Sequence, residues 1–80
     1  MPDVLKAFAA HEEAEKRALE AAAEIRWRGQ AVLGREILAE RARGTRQEEI
    51  ARKLGRTREQ IRRYQTAYRA WLNGHDGTEP

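Results

Sequence analysis

No cysteine occurs in the 80-residue chain, so neither a disulfide nor a thiolate metal site can hold it together. Aromatic residues are scarce, with one Phe, two Tyr and two Trp. At this length a single small core sits near the limit of independent stability, and every apolar side chain matters. Proline is confined to Pro2 and Pro80, so no proline breaks a helix in between. No apolar run approaches the roughly 20 residues of a membrane-spanning helix, and the first residues lack the apolar stretch of a signal peptide. The expected setting is cytoplasmic and nucleoid-associated, with no membrane partner. Catalytic signatures are missing as well: there is no glycine-rich phosphate loop and no metal-ligand spacing. His11 and His75 lie far apart with no recognisable partner, and Glu12, Glu13, Glu15 and Glu20 read as a solvated helical face. A chain this small would struggle to enclose a substrate pocket. A non-enzymatic protein without metal or cofactor is expected.

What the chain does have is charge, unevenly placed. Met1 to Glu40 carries six basic and eight acidic residues, a balance of −2. Arg41 to Leu72 carries ten basic and three acidic, a balance of +7, and the tail from Asn73 to Pro80 returns −2. A single sign clustered on one segment is the electrostatic footprint of a polyanion binder.

The basic segment also holds the clearest local pattern. Thr45 with Glu48, and Thr57 with Gln60, both have capping-box spacing, which marks two helix starts. Gly55 follows Leu54, where the first of these helices should end in a left-handed residue. Ile50, Ala51 and Leu54 are spaced to line one face of the first helix, and Ile61 and Tyr64 one face of the second. Ala51 is small enough to let two helices cross closely.

From Thr45 to Tyr64, about a quarter of the chain, the sequence resembles the helix-turn-helix of bacterial and phage repressors. Ala51, Gly55 and Ile61 stand at that motif's alanine, turn glycine and branched aliphatic, and Gln47 matches the polar residue that opens it. A looser likeness links Leu33 to Leu38 and Gly44-Thr45 to response-regulator and sigma-factor DNA-binding regions. The resemblance implies double-stranded DNA as partner, with the second motif helix in the major groove. Carried over by position, the base-reading candidates are Thr57, Arg58, Glu59, Arg62, Arg63 and Thr66. Arginine can pair bidentately with guanine, and glutamate can accept from cytosine, so G·C pairs are expected in the site. The phosphate candidates are Arg43, Arg46, Gln47, Arg52, Lys53, Arg56 and Arg69. The competing reading of each is a solvated surface charge, such as Glu48 with Arg52 at i, i+4, or Glu59 holding Arg62 or Arg63.

In chain order, the expectation is an all-α protein: a long N-terminal helix followed by a three-helix helix-turn-helix domain. Pro2 and Asp3 suit a helix start, and residues 1–28 are rich in strong helix formers. A thin heptad seam runs through Val4, His11, Ala18, Ile25 and Val32, with Ala7, Ala14 and Ala21. Val4, Leu5, Phe8, Ala18 and Ile25 would be left in water by a lone helix of this length. The arm is therefore read as a homodimerisation element, the alternative being a helix folded back on its own domain. Gly29-Gln30 is taken as a break before the domain at 29–73. A helix from Ala31 to Arg43 buries Val32, Leu33, Ile37 and Leu38 and tolerates Gly34, and Gly44 stops it. The last helix extends to about Leu72, with Ile61, Tyr64, Tyr68, Trp71 and Leu72 on its buried face and Trp27 as a core anchor. Residues 74–80 are expected to be disordered. The function that follows is a transcriptional regulator, of repressor type, acting as a homodimer. The alternatives are an architectural plasmid or phage factor, or a module for a protein partner, such as an antitoxin or assembly adaptor.

Overall fold

The computed structural model describes residues 1–80 and is all-α. Three helices follow in order, α1 (Pro2–Ala42), α2 (Gln47–Leu54) and α3 (Arg58–Gly74). α1 is one continuous rod of 41 residues, about 60 Å at 1.5 Å per residue. It accounts for most of the molecule's 65 Å longest dimension.

The break expected at Gly29-Gln30 does not occur. A helical glycine costs only about 1 kcal/mol relative to alanine. Trp27 anchors the helix on one side of Gly29, donating Nε1–H to the Ala67 carbonyl at 3.2 Å and meeting Trp71 edge-to-face at 5.0 Å. On the other side Ala31 is fully buried. Both flanks are thus fixed to α3, and the helix runs through. The first helix of the expected three-helix domain is therefore the C-terminal third of α1, and the boundary at residue 28/29 is not a structural one.

Ile37, Ile50, Ala51 and Ile61 make the core, with Leu33 and Tyr64 packed against it. Ala51 takes the close-crossing position its size suggested. Leu54 does not join the core and remains 45% exposed. Val32, Leu33 and Leu38 are half-buried, so Ile37 alone of the expected α1 stripe is fully covered. Gly34, read from the sequence as merely tolerated, is where α1 and α3 approach most closely. A Cβ placed there would lie 1.9 Å from the Tyr64 carbonyl oxygen and 2.6 Å from its carbon. Only glycine allows that backbone approach.

The α1–α2 connection also differs from the expected capping box. The cap is Arg46, which makes no side-chain capping bond. Thr45 instead donates its hydroxyl to Glu40 Oε1 at 3.0 Å, and Arg43 Nη1 donates to Glu40 Oε2 at 2.6 Å. These two bonds hold the Glu40 carboxyl below the usual carboxylate range, the Arg43 bond foremost. Glu40 thus ties the turn to α1. By contrast, the Thr57–Gln60 box forms in both directions: Gln60 N–H donates to Thr57 Oγ1 at 3.1 Å, and Thr57 N–H to Gln60 Oε1 at 2.9 Å. Gly55 is left-handed at φ 64°, as the turn required.

Residues 74–80, expected to be disordered, fold back against α1 and α3 in this structure. Asp76 and Gly77 both have positive φ and reverse the chain after α3. Glu79 Oε1 then accepts from the Tyr68 hydroxyl at 2.7 Å, and its Oε2 lies 3.8 Å from Arg35 Nη1. That carboxylate raises the Tyr68 phenol above its ordinary value, chiefly through the hydrogen bond. His75 stacks on Trp71 at 3.8 Å and donates Nδ1–H to the Trp71 carbonyl at 2.8 Å. The polar tail composition concealed a strap across α1 and α3.

Candidate nucleic-acid interface

α2 and α3 meet at the Gly55 turn, and the core face of α3 is set by Ile61, Tyr64, Gln65 and Trp71. Its opposite face carries Arg58, Glu59, Arg62, Arg63, Thr66 and Arg69, all exposed. This follows from helical spacing: residues three and four apart share a side, so burying Ile61 and Gln65 turns Arg62, Arg63 and Thr66 outward. Arg58, Glu59, Arg62, Arg63 and Thr66 are therefore brought together on one surface. Thr57 lies at its edge, where its hydroxyl is already engaged in capping α3.

On this surface Glu59 faces two cations. Its Oε2 is 3.8 Å from Arg62 Nη1, and its Oε1 is 3.9 Å from Arg63 Nε. Both pairs are exposed and long, so each contributes well under about 1 kcal/mol to the fold. They pre-orient the guanidinium groups without committing them. Arg58 reaches back across the turn to Glu48, at 3.4 Å. Glu48 therefore pairs between helices and not with Arg52, the pair offered as a competing reading, while Glu49 meets Lys53 at 3.6 Å within α2.

The phosphate candidates divide into two groups. Arg43 is tied to Glu40 at 2.6 Å and Lys53 to Glu49. Arg46, Arg52, Arg56 and Arg69 are exposed and have no carboxylate within 4.0 Å. Gln47 is half-buried, and its Nε2 donates to the Arg58 carbonyl at 3.4 Å. It thus faces the start of α3 as well as the surface. Arg46 immediately precedes α2, whose first amides lack intrahelical partners.

The N-terminal part of α1 projects away from the other helices, with Glu24 near its base the first side chain to meet α3's end. Residues 1–26 are exposed throughout, including Val4 (59%), Leu5 (64%), Phe8 (59%) and Ile25 (73%). Ala18 is exposed too, as is Leu19, which the seam had not included. Folding back onto its own domain is ruled out for a straight helix, so the arm buries none of its apolar side chains within this chain. Val4 and Phe8 lie a turn apart, and Ala18 and Ile25 follow Val4 at heptad spacing, drifting round the helix by about 20° per heptad.

Two histidine contacts escaped the sequence reading. His11 lies 3.3 Å from Glu15, and His75 Nε2 lies 3.6 Å from Glu24 across the α1–α3 junction. Also missed was Gln65, which is only 2% exposed and bonds to Arg41. A polar residue four positions after Ile61 was the available signal, but polar side chains at such positions are usually solvated. No group of three or more His, Asp or Glu side chains is arranged to hold a metal ion. No helix is long and apolar enough to cross a membrane. No family model, curated protein or solved structure matches this chain.

Proposed function

We propose that the protein binds double-stranded DNA sequence-specifically, with α3 in the major groove, as a homodimeric transcriptional regulator of repressor type. The observation that carries this reading is the outward face of α3. Four arginines and Thr66 are exposed there, on a helix whose opposite face is packed on the domain. A helix that docked only on protein would more often expose apolar anchors. The exposed arm supports the dimer, because apolar side chains such as Phe8 and Leu19 gain by burial against a second copy.

The residue roles separate by experiment. Arg62→Ala should weaken binding to a selected duplex by about 1–3 kcal/mol more than binding to random duplex, because a bidentate base contact is lost. Arg46→Ala should weaken both alike. Fluorescence anisotropy on the two duplexes measures this, and the reverse pattern would refute the assignment. Equal affinity of the unaltered protein for every duplex would leave an architectural role in place of a repressor.

Deleting residues 1–24 removes no core contact. The shortened chain should therefore remain helical by circular dichroism but sediment as a monomer where the full chain sediments as a dimer. A full chain that is monomeric at tens of micromolar would dispose of the arm as a self-association element.

A further inference from the structure

Trp27 and the close approach at Gly34 fasten α3 to α1, but the apolar cluster shared with α2 leaves the seating of α2 against the start of α3 loosely determined. The members of that cluster are few, two of the four are small or β-branched side chains from the short α2, and apolar contact is non-directional. A set of directional bonds that includes α2 crosses this space. Gln65 of α3 is 2% exposed and touches all three helices. Its Oε1 accepts from Arg41 Nη1 of α1 at 2.7 Å. Its Nε2 donates to the Ile61 carbonyl at 3.3 Å and reaches Gln47 Oε1 of α2 at 3.5 Å. Gln47 in turn donates its own Nε2 to the carbonyl of Arg58, the first residue of α3, at 3.4 Å.

The bonds form a closed circuit. It begins on α3 at Gln65, passes through the first residue of α2, and returns to α3 at Arg58, with Arg41 fixing it to α1. An amide has one acceptor end and one donor end, so Arg41 on the oxygen side dictates which way the nitrogen points. With Gln65 Nε2 directed at Gln47, the Gln47 amide is oriented too, nitrogen toward Arg58. Polar circuits centred on a buried amide favour one arrangement among several that apolar packing alone would permit.

We propose that Gln65 is a positioning residue for DNA reading: through Arg41 and Gln47 it fixes the angle at which α3 presents Arg58 and Arg62. It rests on the DNA reading above for its consequence, but the positioning itself is a property of the free protein. Its loss should appear as lost discrimination between duplexes, because phosphate contacts from flexible surface arginines survive a small change of helix angle and base contacts do not.

The test is Gln65→Met, which keeps the length and volume of the side chain and removes both polar ends. Anisotropy should show affinity for random duplex within about twofold of the unaltered protein, and affinity for a selected duplex reduced tenfold or more. In the free protein, the backbone amide resonances from Gln47 to Arg58 should be single and sharp in the unaltered chain and should broaden or double in Gln65→Met. Equal losses on both duplexes, or unchanged discrimination, would overturn the proposal. Should Gln65→Met fail to fold, Arg41→Met removes the anchoring donor from an exposed position, and the ratio of the two affinities should fall at least threefold. An unchanged ratio there overturns it as well. If the unaltered protein ignores duplex DNA, the DNA reading fails on its own. The resonances then decide the positioning role: single, sharp signals in Gln65→Met refute it.

Discussion

Replacing Gly34 with alanine should lower the thermal midpoint by roughly 8–16 °C, at about 4–8 °C per kcal/mol for a domain of this size. The added methyl would stand 1.9 Å from the Tyr64 carbonyl oxygen and 3.1 Å from the Gln65 nitrogen. Both are backbone atoms, so no rotamer change relieves the contact and the two helices must separate. Overpacking that moves backbone costs about 3 kcal/mol. Alanine returns about 1 kcal/mol by its better helix propensity, which leaves a net loss of about 2 kcal/mol. Against the roughly 4–12 kcal/mol available to 80 residues, that is a large fraction. The same substitution at Gly29 meets nothing within 4 Å. Gly29→Ala should therefore raise stability by up to about 1 kcal/mol. Two glycine-to-alanine changes five residues apart in one helix should thus have opposite signs. A denaturant titration followed by circular dichroism reads both. A neutral or stabilising Gly34→Ala would mean that the α1–α3 crossing is not as close as described.

The second large effect is on DNA affinity. Arg43, Arg46, Arg52, Lys53, Arg56 and Arg69 are the cations assigned to phosphate, and each phosphate neutralised releases condensed counterions. Six contacts give each protomer a slope of log affinity against log salt of about −5, the slopes of two protomers adding in a dimer. Raising salt from about 50 to 200 mM should therefore weaken each protomer's hold on the duplex about a thousandfold. The ion pairs sharpen the count. Arg43 and Lys53 already face Glu40 and Glu49, and if they stay with those carboxylates only four cations remain. The slope should then be about −4 per protomer and the loss nearer a hundredfold. An anisotropy series across salt concentrations distinguishes the two, and a slope near zero would remove the electrostatic basis of the proposed function.

How much could be read from the sequence depended on how local the cause was. Gly55 and the Thr57–Gln60 box are decided by residues within one turn of each other, and both appeared where the spacing put them. The outward arginine face followed from Ile61 by helical periodicity alone. Gly29 was misread because a glycine in isolation weakens a helix, whereas here Trp27 and Ala31 fasten both sides of it to α3, 40 residues away in sequence for the Trp27–Ala67 bond. Thr45 was misread for a similar reason: its hydroxyl had a better acceptor in Glu40 than a capping role offered. The tail looked disordered by composition, but Glu79 and His75 find partners that only the assembled α1–α3 pair supplies. Gly34 was legible in principle. It falls between the buried Ala31 and Ile37 at three-residue intervals, and a glycine in the middle of a buried stripe marks a close approach rather than a tolerated weakness.

The unbroken course of α1 has a mechanical result. With no hinge at Gly29, the arm and the helix that supports α3 share one axis and one rotational phase. Each residue added to the rod would swing the Val4–Phe8 side by about 100° and displace it by about 1.5 Å. The stretch from Pro2 to Arg26 is about 37 Å long by that rise, close to one turn of B-form duplex at roughly 34–36 Å. In a dimer joined by these arms, the distance and bearing between the two α3 helices are set by a rigid strut. The arm would serve as a ruler for the spacing of half-sites along DNA.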